Sequence, residues 1–310
     1  MFLHLPIAEL SVNVFIIVGM GMAVGFLSGL FGVGGGFLIT PLLIFYNIPP
    51  AIAVATGANQ VIASSFSGAL AHYKRRTIDL KLGTMLLIGG ALGSLAGVWI
   101  FGLLRSLGQL DLAVSLLYVL LLSTTGGLML NESVRSLLRS RKGGTGTNLR
   151  RPGAHNWVHG LPLKMRFPDS RLYVSIIPVL LLGFLIGVLA AIMGVGGGFI
   201  MVPAMIYLLR VPTNVVIGTS LFQIMFTAAV TTVLQAWTNE TIDIVLAFLL
   251  MIGGVVGAQF GVEAGRKLRG DQLRALLAIL VLSVGVRLGL ELVRTPASVF
   301  SLASPTGEVE

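Results

Sequence analysis

Eight apolar blocks occupy most of this 310-residue chain, at about 12–46, 51–73, 82–104, 111–130, 172–209, 213–236, 242–265 and 273–293. A helix needs roughly 20 apolar residues to cross a bilayer, and in hydrocarbon every backbone polar group must find its partner inside the protein. Membrane-spanning helices are therefore the fold this pattern allows. Only 11% of the residues are charged, against roughly 25% in a soluble domain, which leaves too little polar surface to coat a particle in water. Forty glycines fit the same reading, because glycine lets membrane helices approach closely. There is no cysteine, which excludes disulfides, thiolate metal sites and thiol nucleophiles. His4, His72, His155 and His159 lie far apart and show no metal-ligand spacing. Neither a metal nor a cofactor is expected, and no catalytic residue is assigned.

Blocks one and five, at about 35 and 38 residues, are too long for a single crossing. The same hexapeptide interrupts both: Gly32-Val33-Gly34-Gly35-Gly36-Phe37 and Gly194-Val195-Gly196-Gly197-Gly198-Phe199. The likeness extends to either side. Gly21, Gly25 and Gly29 match Gly183, Gly187 and Ala191, Pro41 matches Pro203, and Pro50 matches Pro212. Further on, Thr56 and Gln60 match Thr219 and Gln223, Thr77-Ile78-Asp79 matches Thr241-Ile242-Asp243, and Gly89, Gly93 and Gly97 match Gly253, Gly257 and Gly261. A shared order of motifs over such a stretch marks an internal repeat. The chain divides into a first membrane repeat (1–130), a basic linker (131–171) and a second membrane repeat with a short tail (172–310).

Charge decides how the repeats face. The net charge of +9 resembles that of a nucleic-acid binder until it is mapped, for the linker alone carries nine basic residues against Glu132 and Asp169. A basic loop between apolar blocks is a cytoplasmic signal facing anionic lipid, so no nucleic-acid partner is expected. Lys74-Arg75-Arg76 follows block two, whereas the equivalent turn, Thr238–Asp243, holds no base. At the next turn the bias reverses, with Arg105 and Asp111 against Arg266, Lys267, Arg269 and Arg274. Equivalent turns thus face opposite sides, which requires an odd number of crossings per half. The expected fold is an all-α integral membrane protein of two inverted repeats. Each repeat is a glycine-broken helix or helix hairpin followed by three transmembrane helices, with both termini outside. The N-terminus has no basic segment before its apolar stretch, so a cleaved signal peptide is not expected.

Three successive glycines each lose roughly 1 kcal/mol of helix propensity relative to alanine. At membrane depth they are tolerated only against protein or a wet cavity. The run should end one half-helix and start another near Thr40-Pro41, with threonine at the N-cap and proline at the first helical position. The unpaired N–H groups and the positive dipole end would then form an anion site from Gly34, Gly35 and Gly36 with Gly196, Gly197 and Gly198. The alternative is that these glycines only permit close helix crossing, as Gly89, Gly93 and Gly97 and their equivalents do. Thr40, Thr56, Asn59, Gln60, Thr219, Ser220 and Gln223 are the further candidates for substrate contact, with Ser64, Ser65 and Thr227 beside them. Interhelical hydrogen bonding is the competing role. Glu263 is an acid well inside a block and a candidate proton relay, or else a partner for Arg266 and Lys267. Arg287, a base inside the last block, suits snorkelling to the interface.

The doubled Gly-Val-Gly-Gly-Gly-Phe, the trailing Pro41 and Pro203, the eight blocks and the central polar linker resemble the sulfite exporter TauE/SafE family of bacterial membrane permeases. The likeness runs over roughly 12–293 apart from the linker. It implies a multi-pass secondary transporter of the inner membrane that exports sulfite, sulfonates or related sulfur anions, with Gly34–Gly36 and Gly196–Gly198 as the substrate region. The implied partners are a small anion, a coupling ion such as a proton or sodium, membrane lipid, and in some arrangements a second copy of the chain. A passive anion channel and a non-transporting membrane scaffold are the alternatives. An enzyme lacks support, since no His/carboxylate or Ser/His/Asp set lies within the blocks.

The charge pattern yields a direct test. Single cysteines introduced at positions 75 and 240 of this cysteine-free chain should label with an impermeant thiol reagent from opposite faces of the membrane. Labelling of both from one face contradicts the inverted arrangement.

Overall fold

The computed structural model describes residues 2–8, 10–141, 163–167, 170, 172–209, 211–239, 241–265 and 270–293. Residues 142–162 of the basic linker, Glu240 and Arg266–Arg269 lie outside the described residues. Ten helices run through the described part. They are α1 Val14–Phe31, α2 Gly36–Phe45, α3 Pro50–Lys74, α4 Leu80–Ser106 and α5 Leu110–Arg141, then α6 Ile176–Met193, α7 Gly198–Tyr207, α8 Thr213–Thr238, α9 Ile244–Gly265 and α10 Gly270–Val293. Helix α5 continues to Arg141, into the stretch the sequence assigns to the linker. Two short antiparallel hairpins precede α1 and α6: β1 Phe2–His4 with β2 Ser11–Asn13, and β3 Lys164–Phe167 with β4 Leu172–Ser175. Six helices are long and apolar enough to cross a membrane, and the chain is an all-α integral membrane protein.

Local chemistry sets the same boundaries twice. Asn13 Oδ1 accepts from Phe15 N–H to open α1, and Ser175 Oγ accepts from Ile177 N–H to open α6. Gly32 and Gly194, at φ of 70° and 69°, close α1 and α6 by donating to Ser28 O and Ala190 O. Proline places α3 and α8, with Pro50 at the first position of one and Pro212 just before the other.

Corresponding helices make corresponding contacts. Helix α1 packs on α9 and α6 packs on α4, so each half lends its first helix to the other. The glycine ladders are what allow this. Gly253, Gly257 and Gly261 of α9 lie against the Val18, Met22 and Phe26 carbonyls of α1. Gly89, Gly93 and Gly97 of α4 lie against Leu180, Phe184 and Val188 of α6. Both pairs advance in four-residue steps in the same direction, so the paired helices run parallel. Helix α5 runs antiparallel to α10, with Gly126 beside Leu282 and Gly285 beside Leu122. At the centre α3 packs on α8.

Two buried carboxyls fasten the halves together. The N–H of Asp79 donates to Thr219 Oγ1 of α8 at 3.0 Å. Its Oδ1 accepts from Leu82 N–H to start α4, and its Oδ2 accepts from the N–H and Oγ of Ser170, in the hairpin ahead of α6. Asp243 repeats the pattern. Its N–H donates to Thr56 Oγ1 of α3 at 3.1 Å, its Oδ1 accepts from Leu246 N–H to start α9, and its Oδ2 accepts from Ile7 and Ala8, in the hairpin ahead of α1.

The polarity of the molecule suits lipid. Phe15, Phe66, Trp99, Trp237, Phe248 and Phe260 face outward, while Ser28, Thr56, Gln60, Ser64, Ser65, Thr219, Ser220, Gln223 and Gln235 are buried. A soluble protein distributes these classes the other way.

Removing either carboxyl strands several buried donors at once. Asp79→Ala or Asp243→Ala should reduce stability on the order of 3–5 kcal/mol, and Thr219→Val or Thr56→Val by about 1 kcal/mol. Melting curves in detergent check this, and an Asp79→Ala curve that overlays the wild type contradicts the tie.

Candidate substrate site at the paired glycine breaks

Each break follows the same backbone course. After the left-handed glycine that ends α1, Gly34 and Gly35 adopt φ of 81° and 74°, and α2 starts at Gly36. After α6, Gly196 and Gly197 adopt 67° and 76°, and α7 starts at Gly198. An L-residue held in this region loses roughly 1–2 kcal/mol, which is why glycine fills both breaks. Gly35 O accepts the N–H groups of Leu38 and Ile39, and Gly197 O accepts those of Ile200 and Met201. Among the described residues, the amides of Gly34, Gly35, Gly36 and Phe37, and of Gly196, Gly197, Gly198 and Phe199, make no well-aligned hydrogen bond to a backbone carbonyl.

This geometry corrects the expected restart near Thr40-Pro41. The left-handed Gly35 reverses the chain at once and supplies the first acceptor carbonyl, so helix resumes at Gly36 and Thr40 and Pro41 lie inside α2. Pro41 has no N–H to give, which leaves the Phe37 carbonyl without its ordinary helical donor. The Thr40 hydroxyl sits beside the Tyr118 phenol, which in turn donates to Met193 O at 2.8 Å.

The two breaks pack against each other. Gly36 abuts the Val195 carbonyl and Gly198 abuts the Val33 carbonyl. The Phe37 and Phe199 rings lie 5.8 Å apart between centroids. Val61 of α3 and Ile224 of α8 touch both breaks from the side. Residues 31–40 and 191–199 are all buried, so the breaks are closed off from the outside.

The polar candidates divide by what they bond. Thr56 and Thr219 accept from the Asp243 and Asp79 amides, as described above. Asn59 is half-buried and donates to the Ala55 and Thr56 carbonyls of its own helix. Ser220 reaches the first break from the second half, donating to Gly32 O at 3.2 Å, and Ser64 donates to Gly34 O at 3.2 Å. Gln223 donates to Thr227 Oγ1 at 2.7 Å and lies against Gly90 of α4. Gln60 lies against Gly254 of α9, with both amide atoms lacking a partner. Glu263 stands on the exposed side of α9. Arg287 is exposed and stacks over the Phe45 ring at 4.1 Å. Ser28 was not evident as a candidate from the sequence. It lies beside Gly35, and the signal for it is that its repeat equivalent is Ala190.

The family model described as Sulfite exporter TauE/SafE matches residues 17–288. The chain belongs to this family. Among relatives of this TauE/SafE protein, "Probable membrane transporter protein YunE" of Bacillus subtilis is 27% identical over 281 residues, covering 88% of this chain and 96% of the relative. A "Probable membrane transporter protein" of Xylella fastidiosa is 28% identical over 280 residues, covering 88% and 94%. "Sulfite exporter TauE/SafE family protein 5" of Arabidopsis thaliana is 43% identical over 53 residues, covering 17% of this chain and 12% of that protein. No solved structure matches. The chain is thus a multi-pass membrane transporter and not an enzyme.

In this TauE/SafE protein the glycines that begin α2 and α7 have no room for a side chain, because a Cβ on either meets backbone carbonyl of the other half. Gly36→Ala and Gly198→Ala should each reduce stability by about 1–3 kcal/mol. Gly127→Ala, where a Cβ meets nothing within 4 Å, should leave it equal or higher. Thermal unfolding of the three variants checks the order.

Proposed function

We propose that this protein is a secondary transporter of small sulfur oxyanions, sulfite or organosulfonates, held at the paired glycine breaks and moved by alternating access between two inverted halves. The observation that carries the reading is the doubled set of buried, unpartnered backbone amides at the starts of α2 and α7. A buried N–H without an acceptor is rare, and each helix start adds the equivalent of roughly half a positive charge. A compact oxyanion is the ligand that answers both, and it needs no buried arginine.

Family membership supports the transport of a sulfur anion. The antiparallel run of α5 against its repeat equivalent α10 supports inversion, as do the opposed charges of equivalent turns. In this arrangement Lys74–Arg76, the 131–171 linker and Arg266–Arg274 face the cytoplasm. The burial of both breaks favours a carrier over a continuous pore, since Val61, Ile224, Phe37 and Phe199 pack over them. Alternating access then requires the two halves to part on one side at a time.

Purified protein titrated with sulfite, sulfoacetate, thiosulfate and sulfate should melt several degrees higher with its substrate, because a ligand at 100 times its Kd adds about 2.7 kcal/mol. In sealed vesicles preloaded with that anion, labelled anion outside should accumulate transiently by counterflow. Uptake without counterflow identifies a channel, and stabilisation by none of the four anions overturns the assignment.

A further inference from the structure

The packing of the two breaks is nearly two-fold, but their polarity is not. Besides Ser64, two more serines of the first half stand beside the first break. Ser65 Oγ lies 3.2 Å from the point where a side chain on Gly34 would begin, and Ser28 Cβ lies 3.1 Å from the same point on Gly35. Both residues are fully buried, and neither hydroxyl has a hydrogen-bond partner. Their repeat equivalents are Ala190 and Ala228. Around the second break the nearest side chains are aliphatic: Gly196 meets Val61 and Ile224, and Gly197 meets Ile186.

The glutamines differ in the same sense. In the second half Thr227 accepts from the Gln223 amide. Its first-half equivalent, Ser64, instead donates to Gly34 O and Val61 O. Gln60 is thereby left with its whole amide unpartnered. Among the described residues the first half holds four buried side chains with unmet hydrogen-bonding capacity, Ser28, Thr40, Gln60 and Ser65, and the second half holds Gln223 Oε1, Thr232 and Thr241. A buried polar group without a partner is unfavourable unless something supplies one.

We infer that the oxyanion sits off the pseudo-two-fold axis, at the first break, held by the Ser28 and Ser65 hydroxyls and the Gln60 amide together with the free N–H groups that start α2. The second break faces it with backbone amides and aliphatic side chains and, among the described residues, adds no side-chain hydroxyl. This rests on the function proposed above and deepens it by naming the side chains that select an anion rich in acceptor oxygens.

Isothermal titration of the full-length protein with potassium sulfite and potassium sulfoacetate, beside melting curves without anion, tests the assignment. Ser28→Ala and Ser65→Ala should each weaken binding about tenfold, as expected for one hydrogen bond to a charged group. Melting of the anion-free protein should stay equal or rise, because each change removes a hydroxyl that has no partner. Gln60→Ala should weaken binding more than Gln223→Ala. Ser94→Ala, a buried serine bonded to Thr231, should not alter affinity. Wild-type affinity in both folded serine variants, or equal losses from Gln60→Ala and Gln223→Ala, overturns the off-axis site while leaving the proposed function standing. A wild-type protein that titrates with neither anion overturns that function and this site with it. The titrations repeated with sodium salts add one arm: a loss confined to sodium would place a cation on the hydroxyls and overturn the inference.

Discussion

An amide N–H at membrane depth must have a partner, since leaving it bare in an apolar medium is unfavourable by several kcal/mol. Much of this structure follows from having two places where the backbone cannot supply that partner itself. At Gly34–Phe37 and Gly196–Phe199 the chain leaves one helix and begins another, and the first amides of the new helix point away from any carbonyl of their own. The fold buries both breaks against each other and packs the central helices α3 and α8 beside them. The glycine ladders are subordinate to that purpose. By seating α1 on α9 and α6 on α4 across backbone-to-backbone contact, they bring the ends of α1 and α6 together.

Polar groups elsewhere in the interior are mostly committed to structure. Asp79 and Asp243 each gather a helix start, a hairpin and a threonine of the opposite half. Thr231 donates to Ser94, and the Gln235 amide donates to Ala191 O. Against this background, Ser28 and Ser65 stand out as buried hydroxyls beside the first break that have no partner among the described residues.

Much of this could be read from residues alone, where local chemistry determines the outcome. The hexapeptides marked the breaks, because successive glycines cannot propagate an apolar helix. The four-residue glycine spacing on α4 and α9 marked the helix crossings. The repeated Thr-Ile-Asp marked equivalent positions of the two halves, and in the structure Asp79 and Asp243 cap the helices that start there. What escaped depended on partners distant in sequence or on backbone angles. Thr40-Pro41 carried a sound start signal, but a left-handed Gly35 starts the helix earlier and overrides it. Thr56 and Thr219 had the right types and places for ligand contact, yet each hydroxyl accepts from an amide 187 or 140 residues away. The hairpins ahead of α1 and α6 are too short to leave a periodic pattern. Ser28 could have been found only by asking where the repeats differ, since a serine on an apolar helix gives no signal by itself.

That difference between the repeats bears on how such a carrier can work. If the halves exchange conformations, the two access states are related by the pseudo-symmetry, and matched packing keeps them close in energy. The exchanged α1–α9 and α6–α4 crossings and the twin aspartate junctions provide that match. On the proposed function, an anion drawn alike to both breaks would sit on the axis, whereas side-chain donors on one side only draw it to that side. Placing hydroxyls on one side only, Ser28 and Ser65 against Ala190 and Ala228, gives one binding locus without altering the backbone contacts on which the exchange depends. A ligand shifts a conformational equilibrium only by its difference in affinity for the two states, so an anion bound at an off-axis locus that travels with the first half need bias neither state strongly. On the proposed function, symmetric packing and asymmetric polarity serve separate requirements: the first keeps both states within reach, and the second gives the substrate one place to sit in each.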